Sequence, residues 1–182
     1  MGMPAPLYFT ADMVRALPDD GKRYEVVHGE LLVTPAPRAL HQRVQMRLLS
    51  RVAGYLTTSP VGELFASPAD ISWGDDILVQ PDLFVVRQDE ANTLDWARMQ
   101  HLLLAIEVLS PSSGRADRFT KRRLYQEVGI PVYWMVDADE QVVEVWTPEA
   151  RFPVFEREQL TWHPHGASEP LSISCTDLFR SE

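Results

Sequence analysis

Two carboxylates, Asp82 and Glu107, sit inside apolar runs that read as buried strands, and they restrict what this chain can fold into. Asp82 lies in Ile77-Leu78-Val79-Gln80-Pro81-Asp82-Leu83-Phe84-Val85-Val86, and Glu107 in Leu102-Leu103-Leu104-Ala105-Ile106-Glu107-Val108-Leu109. A carboxylate taken into an apolar interior is costly unless it is paired, protonated or bound to a cation. Any fold that buries both runs must therefore keep the carboxylates protonated or bring positive charge to them. Alternation along the second run puts Leu103, Ala105, Glu107 and Leu109 on one face and Leu104, Ile106 and Val108 on the other. On the helix predicted from about Arg115 to Val128, Lys121, Leu124, Tyr125 and Val128 fall at i, i+3, i+4 and i+7. That spacing places Lys121 on the apolar, sheet-facing side. Its amine either snorkels past the sheet edge to water or reaches the two acids, and the acids' need for a cation favours the second.

The rest of the chain supplies a mixed central sheet with helices on its faces, an α/β or α+β architecture. Thr10 to Leu17 reads as a short helix capped by Thr10 and stopped by Pro18. Arg23 to Val27 and Glu30 to Thr34 form a hairpin around His28-Gly29. A long helix follows from about His41 to Leu56, with Val44, Leu48, Leu49, Val52 and Leu56 in one stripe. Val61 to Ala66, Asp70 to Trp73, Ile77 to Val86 and Leu102 to Leu109 read as strands. Ser110 to Gly114 is a turn that supplies an N-cap for the Lys121 helix, which Gly129 and Pro131 end. Pro131 to Val136 and Gln141 to Trp146 make a second hairpin, and Phe152 to Glu182 is less regular, with a short helix near Thr176 to Phe179. A length of 182 residues suits one domain.

Composition narrows the function classes. No apolar run approaches the roughly 20 residues of a membrane span, and Met1-Gly2-Met3-Pro4-Ala5-Pro6 lacks the features of a signal peptide. A cytoplasmic protein without a membrane partner is expected. The single cysteine, Cys175, excludes an intrachain disulfide framework and a cysteine-based zinc site. A net charge of −9 argues against a non-specific DNA coat. It leaves room for a locally basic site, because Arg115, Arg118, Lys121, Arg122 and Arg123 are opposed only by Asp117. Arg43, Arg47 and Arg51 recur every four residues on the long helix, where a solvated face is the alternative. No Gly-rich phosphate loop and no nucleophile elbow occur, which argues against nucleotide-triphosphate and serine hydrolase chemistry.

Two acids in neighbouring strands with a lysine from the next helix suit a divalent-metal site that hydrolyses phosphodiesters. Magnesium takes one or two carboxylates and keeps several waters, so Asp82 and Glu107 are the expected metal ligands for Mg2+ or Mn2+. Lys121 would orient the attacking water or stabilise charge on the phosphate. Replacing Lys121 by Ala is expected to spare the fold while slowing the chemical step. His41 and Gln45 share the apolar stripe near the start of the long helix, where a capping or core role is the alternative to a catalytic one. Glu30 is a further acidic candidate, and Arg115, Arg118 and Arg122 are expected nucleic-acid contacts. Scattered tryptophans read as core or interface, His163 and His165 as surface loop, and Phe119 as a candidate dimer contact.

Pro81-Asp82 followed by the Glu107-Val108-Leu109 strand, 25 residues on, resembles the PD-(D/E)XK nuclease signature. More closely, the chain resembles a bacterial family of restriction-endonuclease-like proteins long catalogued as a domain of unknown function and abundant in cyanobacteria. That likeness rests on Tyr24 to Leu31, His41, Val79 to Asp82, Ile106 to Ser112, Lys121 to Tyr125 and Gly129 to Asp137. It spans about residues 8 to 147, leaving 148 to 182 as a C-terminal extension of the same domain. The resemblance implies a restriction-endonuclease-like core, divalent-metal dependence and a homodimer, and DNA is the expected substrate. It carries Asp82 and Glu107 over as the acidic pair. The position two after Glu107 is Leu109 where the wider superfamily has lysine, and Lys121 fills that role from the next helix. Two other readings stay open: a decayed nuclease scaffold that binds nucleic acid or protein as a dimer, and a soluble dimer whose acids are structural.

Overall fold

The computed structural model describes residues 7–111 and 116–180, apart from the side chain of Asp117. Helix α1 (Ala11–Arg15) is capped by Thr10, whose side chain accepts from the Met13 amide. It leads into the hairpin of β1 (Arg23–Val27) and β2 (Glu30–Thr34). His28 and Gly29 both have positive φ, 49° and 78°, which is the two-residue turn that matches strand twist. Helix α2 (Ala39–Thr58) follows, then β3 (Gly62–Ala66), β4 (Ile71–Gly74), β5 (Ile77–Val79) and β6 (Leu83–Arg87). A short helix α3 (Gln88–Ala91) and a 3-10 turn at Trp96–Arg98 precede β7 (Leu102–Val108). A π-helical turn, Ala116–Lys121, runs into α4 (Arg122–Glu127). Strands β8 (Tyr133–Asp137), β9 (Val142–Trp146), β10 (Val154–Glu156), β11 (Gln159–Trp162) and β12 (Leu171–Ser174) and helix α5 (Cys175–Phe179) complete the chain. The expected turn and N-cap at Ser112 to Gly114 lie outside the described residues.

Pro81 decides the architecture. The run from Ile77 to Val86, expected as one strand, is two, because proline has no amide to donate to a ladder. The two halves join different sheets. β5 belongs to a four-stranded sheet in the order β2-β1-β5-β4, and β6 to a six-stranded sheet in the order β10-β9-β8-β7-β6-β3. Asp82 stands at the crossing between them. Within the larger sheet β7 and β8 are parallel, joined through α4, and the other pairs are antiparallel.

Each face of the six-stranded sheet has its own core. On one, Phe84, Ala105, Tyr133 and Met135 pack with Leu124 and Tyr125 of α4 and with Val27, Ile71, Ile77 and Val79 of the smaller sheet. On the other, Leu83, Val85, Leu104, Ile106 and Trp134 meet the α2 stripe of Val44, Leu48 and Val52. The alternation expected along β7 holds from Leu104 onward. Leu103 packs on the α2 side instead, because the register slips between Val85 and Val86. The C-terminal segment is more regular than expected: Leu160, Trp162, Ile173, Cys175, Leu178 and Phe179 are buried in the α2 core.

Candidate active site

Asp82 is fixed by its backbone before its carboxylate does anything. Its carbonyl oxygen accepts from the Gln45 side-chain amide at 3.0 Å and from the Ser67 amide at 3.2 Å. The carboxylate is 2% exposed. Oδ2 accepts from the Val108 amide at 2.8 Å, and Oδ1 accepts from Arg23 at 2.7 Å. His41 Nε2 lies 3.4 Å from Oδ2. Burial works to raise the Asp82 pKa, but the His41 hydrogen bond and the Arg23 charge outweigh it and hold the group well below the usual carboxylate range. A depressed folded-state pKa contributes stability that is present above the unfolded value of about 4 and is lost as pH falls through the folded value. We therefore expect acid unfolding to be shallower in Asp82→Asn than in wild type below about pH 4. Denaturant titrations between about pH 5 and 2.5 measure this, and identical slopes would remove Asp82 as the cause.

A second group forms behind it. Lys121 Nζ lies 2.9 Å from Glu107 Oε1 and 2.9 Å from Glu25 Oε1. Tyr125 donates its hydroxyl proton to Glu107 Oε1 at 3.0 Å, and the Gln80 amide donates to Glu25 Oε1 at 2.7 Å. Burial and the neighbouring Glu107 charge push the Tyr125 pKa well above its usual value, so it remains a donor. Arg23 joins the two groups, with Nε 3.6 Å from Glu25 Oε2 and a terminal nitrogen on Asp82. Burial disfavours its charge, yet Glu25, Asp82 and Glu107 more than offset this and lock it protonated. Local structure explains the placement. The π-helical turn ends on Lys121, one residue before α4 begins, and such turns are frequent at functional positions.

The structure brings Asp82, Glu107, Lys121, His41 and Gln45 to one region. Glu30 does not join them; it is exposed at the start of β2, paired with Val27 beside the turn. The buried acid of that hairpin is Glu25, which with Arg23 and Tyr125 was not anticipated as a site residue. Arg115 lies outside the described residues. Arg118 is held by Asp137 at 2.9 Å and Glu144 at 3.1 Å, and Arg122 bonds Gln126 and covers the Trp146 ring at 4.6 Å. Arg118 thus braces the π-helical turn against β8 and β9, and Arg122 braces α4 against β9. Arg47 likewise donates to the Leu178 and Arg180 carbonyls, and Arg51 approaches Asp177. Phe119 is 59% exposed.

A cleft of about 770 Å³ opens in front of Asp82, lined in part by Arg23, His41, Gln45, Gln80 and Met46. Among the described residues, no three His, Cys, Asp or Glu side chains group closely enough for a complete metal-ligand set. The donor chemistry still fits a small hard cation that uses one or two carboxylates and retains water. Buried carboxylates from β1, the β5–β6 crossing and β7 converge on two cations, and Glu25 Oε2 makes no hydrogen bond among the described residues.

No curated protein matches the chain. A crystal structure described as a putative nuclease belonging to DUF820, from Anabaena variabilis ATCC 29413, is similar at a TM-score of 0.77 and 26% identity, covering 94% of this chain and 97% of that one. Residues 11–173 match the sequence model of the Uma2 family, whose description is "Putative restriction endonuclease". With that match spanning both strands of the acidic pair and the lysine helix, the chain belongs to the Uma2 family.

Proposed function

We propose that this protein is a metal-dependent DNA endonuclease that hydrolyses phosphodiester bonds at the cleft in front of Asp82. The observation that carries the reading is the convergence of Asp82, Glu107 and Lys121, from the end of one sheet, its neighbouring strand and the following helix, in a chain of this family. Asp82 and Glu107 would hold Mg2+ or Mn2+, which supplies Lewis acidity and a lowered pKa for bound water. The protein's own groups do the rest. Asp82, at the floor of the cleft, meets the phosphate end of the substrate. Lys121 and Tyr125 fix the Glu107 carboxylate, so its orientation is set before substrate arrives. Arg23 faces the cleft and offers a fixed positive charge to the phosphate as negative charge grows on it. In the reaction a water oxygen bonds to phosphorus and one bridging P–O bond breaks. The electron pair leaves with the departing oxygen, which takes up a proton.

Incubation of supercoiled and single-stranded DNA with magnesium or manganese tests this. Nicking that a chelator stops is the expected result, and intact DNA across both metals and both substrates would sink the proposal. A binding readout accompanies it. Either cation should raise the wild-type melting temperature by a few degrees, about 2–4 °C per kcal/mol of binding free energy, and should leave Asp82→Asn unmoved. Equal shifts in both proteins would place the cation elsewhere.

The alternative, a decayed scaffold that binds nucleic acid or protein, draws on the ion pairs that already engage Asp82, Glu25 and Glu107. Among the described residues no helix is long and apolar enough to cross a membrane. We take the working unit to be a cytoplasmic homodimer, for which sedimentation of the purified chain at half its dimer mass would be the contrary result.

A further inference from the structure

We propose that the nucleotide this cleft accepts is unpaired, either in a single strand or extruded from a duplex. This rests on the nuclease reading above and names the substrate class of that same site. Three observations carry it. First, the acids are recessed. Asp82 is 2% exposed and His41 5%, so a phosphate must pass below the surface to meet them. The phosphates of a duplex lie on a stiff rod whose persistence length is about 150 base pairs. Sending one into a recess requires unstacking its nucleotide. The cleft's volume of about 770 Å³ falls in the range of pockets that enclose a single small molecule, about 300–1,000 Å³.

Second, the cleft wall has an apolar side. Pro35, Pro37, Met46, Leu49 and Pro68 line it, and Met46 is 60% exposed on α2. A flexible thioether beside proline rings is a surface on which any base can lie, without reading its edge. Gln42 lines the same cleft one turn before Met46 and offers an amide to a base edge.

Third, the cleft lining carries little positive charge with which to hold a duplex. Lys22 and Arg23 are the only lysine and arginine of the described lining, and each is already engaged, Lys22 by Asp20 and Arg23 by Asp82. Asp19 lines the same wall. Duplex affinity grows with the number of phosphates neutralised, and Arg118 and Arg122 already engage Asp137 and Gln126. Contact of a base with the apolar wall therefore adds affinity that the lining's charge does not supply.

Three labelled DNAs of one sequence test this: a single strand, a fully paired duplex and a duplex with one unpaired nucleotide. With manganese, wild type should cut the single strand, and the duplex at its unpaired nucleotide, at least about tenfold faster than the paired duplex. Fluorescence anisotropy in calcium should show the single strand bound at least about tenfold more tightly than the paired duplex. Met46→Glu should weaken single-strand binding at least about fivefold with an unchanged melting temperature. A paired duplex cut or bound as well as the single strand would overturn the proposal, as would Met46→Glu binding like wild type. Selective, Met46-dependent binding with no cleavage of any of the three DNAs would leave the pocket assignment standing and remove the nuclease reading instead.

Discussion

Glu107→Gln is expected to lose at least about a hundredfold in the rate of DNA cleavage while keeping the wild-type fold. Glu107 is fully buried, and its Oε1 accepts from both Lys121 and Tyr125. Glutamine has the same shape and retains one oxygen for those donors, so the side chain can stay in place. The charge is what disappears, and with it the attraction for a divalent cation. Lys121 keeps its contact with Glu25, so no buried amine is stranded. Single-turnover nicking with manganese reads the loss, and a thermal melt of the same sample checks the fold. Activity within about tenfold of wild type would show that Glu107 is part of a structural ion pair and nothing more.

Asp82, Glu107 and Lys121 were legible in the sequence for one physical reason. Each is a charge at a position where the local repeat, period two or 3.6, demands an apolar side chain. Arg23 and Glu25 carried no such mark. In Arg23-Tyr24-Glu25-Val26-Val27 the face shared by Arg23, Glu25 and Val27 holds one apolar residue, so a charge there looks like ordinary hairpin surface. Glu25 is buried because the four-stranded sheet packs against the larger one, which is a tertiary event. Glu30 lies apart from that cluster because register Val27↔Glu30 puts it beside the turn, where it is exposed.

Elsewhere the signal existed and was overridden by a stronger one. Pro81 announces a break, yet the apolar residues on both sides of it suggest a continuous strand. At the break the Asp82 carbonyl accepts from the Gln45 side chain as well as from Ser67, which continues the β3–β6 register. The C-terminal strands are only three or four residues long and are interrupted by Pro164 and Pro170, so their periodicity is too short to read. Their burial against α2 comes from packing. The basic cluster around Lys121 was visible as charge, but the Arg118 partners Asp137 and Glu144 lie on β8 and β9, and only the fold brings them together.

Removing Lys121 should now cost the fold as well as the chemistry, contrary to the sequence expectation that it is dispensable for stability. Its amine is 1% exposed and lies 2.9 Å from an oxygen of each of two fully buried carboxylates. Breaking a buried pair by deleting one partner typically costs about 3–5 kcal/mol, because the remaining charge is left without compensation. For Lys121→Met we expect a loss of that size, or roughly 6–20 °C in melting temperature for a chain of this length. The apolar stem is kept, so cavity formation contributes little. If two stranded carboxylates are the cause, neutralising one should restore part of the loss. In Lys121→Met with Glu25→Gln, the new amide oxygen can still accept from the Gln80 amide, and one of the two stranded charges is gone. The double variant should therefore be more stable than Lys121→Met alone by about 1 kcal/mol or more, although Glu25→Gln by itself destabilises. Urea unfolding of the four proteins closes the cycle. Purely additive losses would mean that Lys121 does not bridge the two acids in solution, and the lysine would return to its expected role at the chemical step alone.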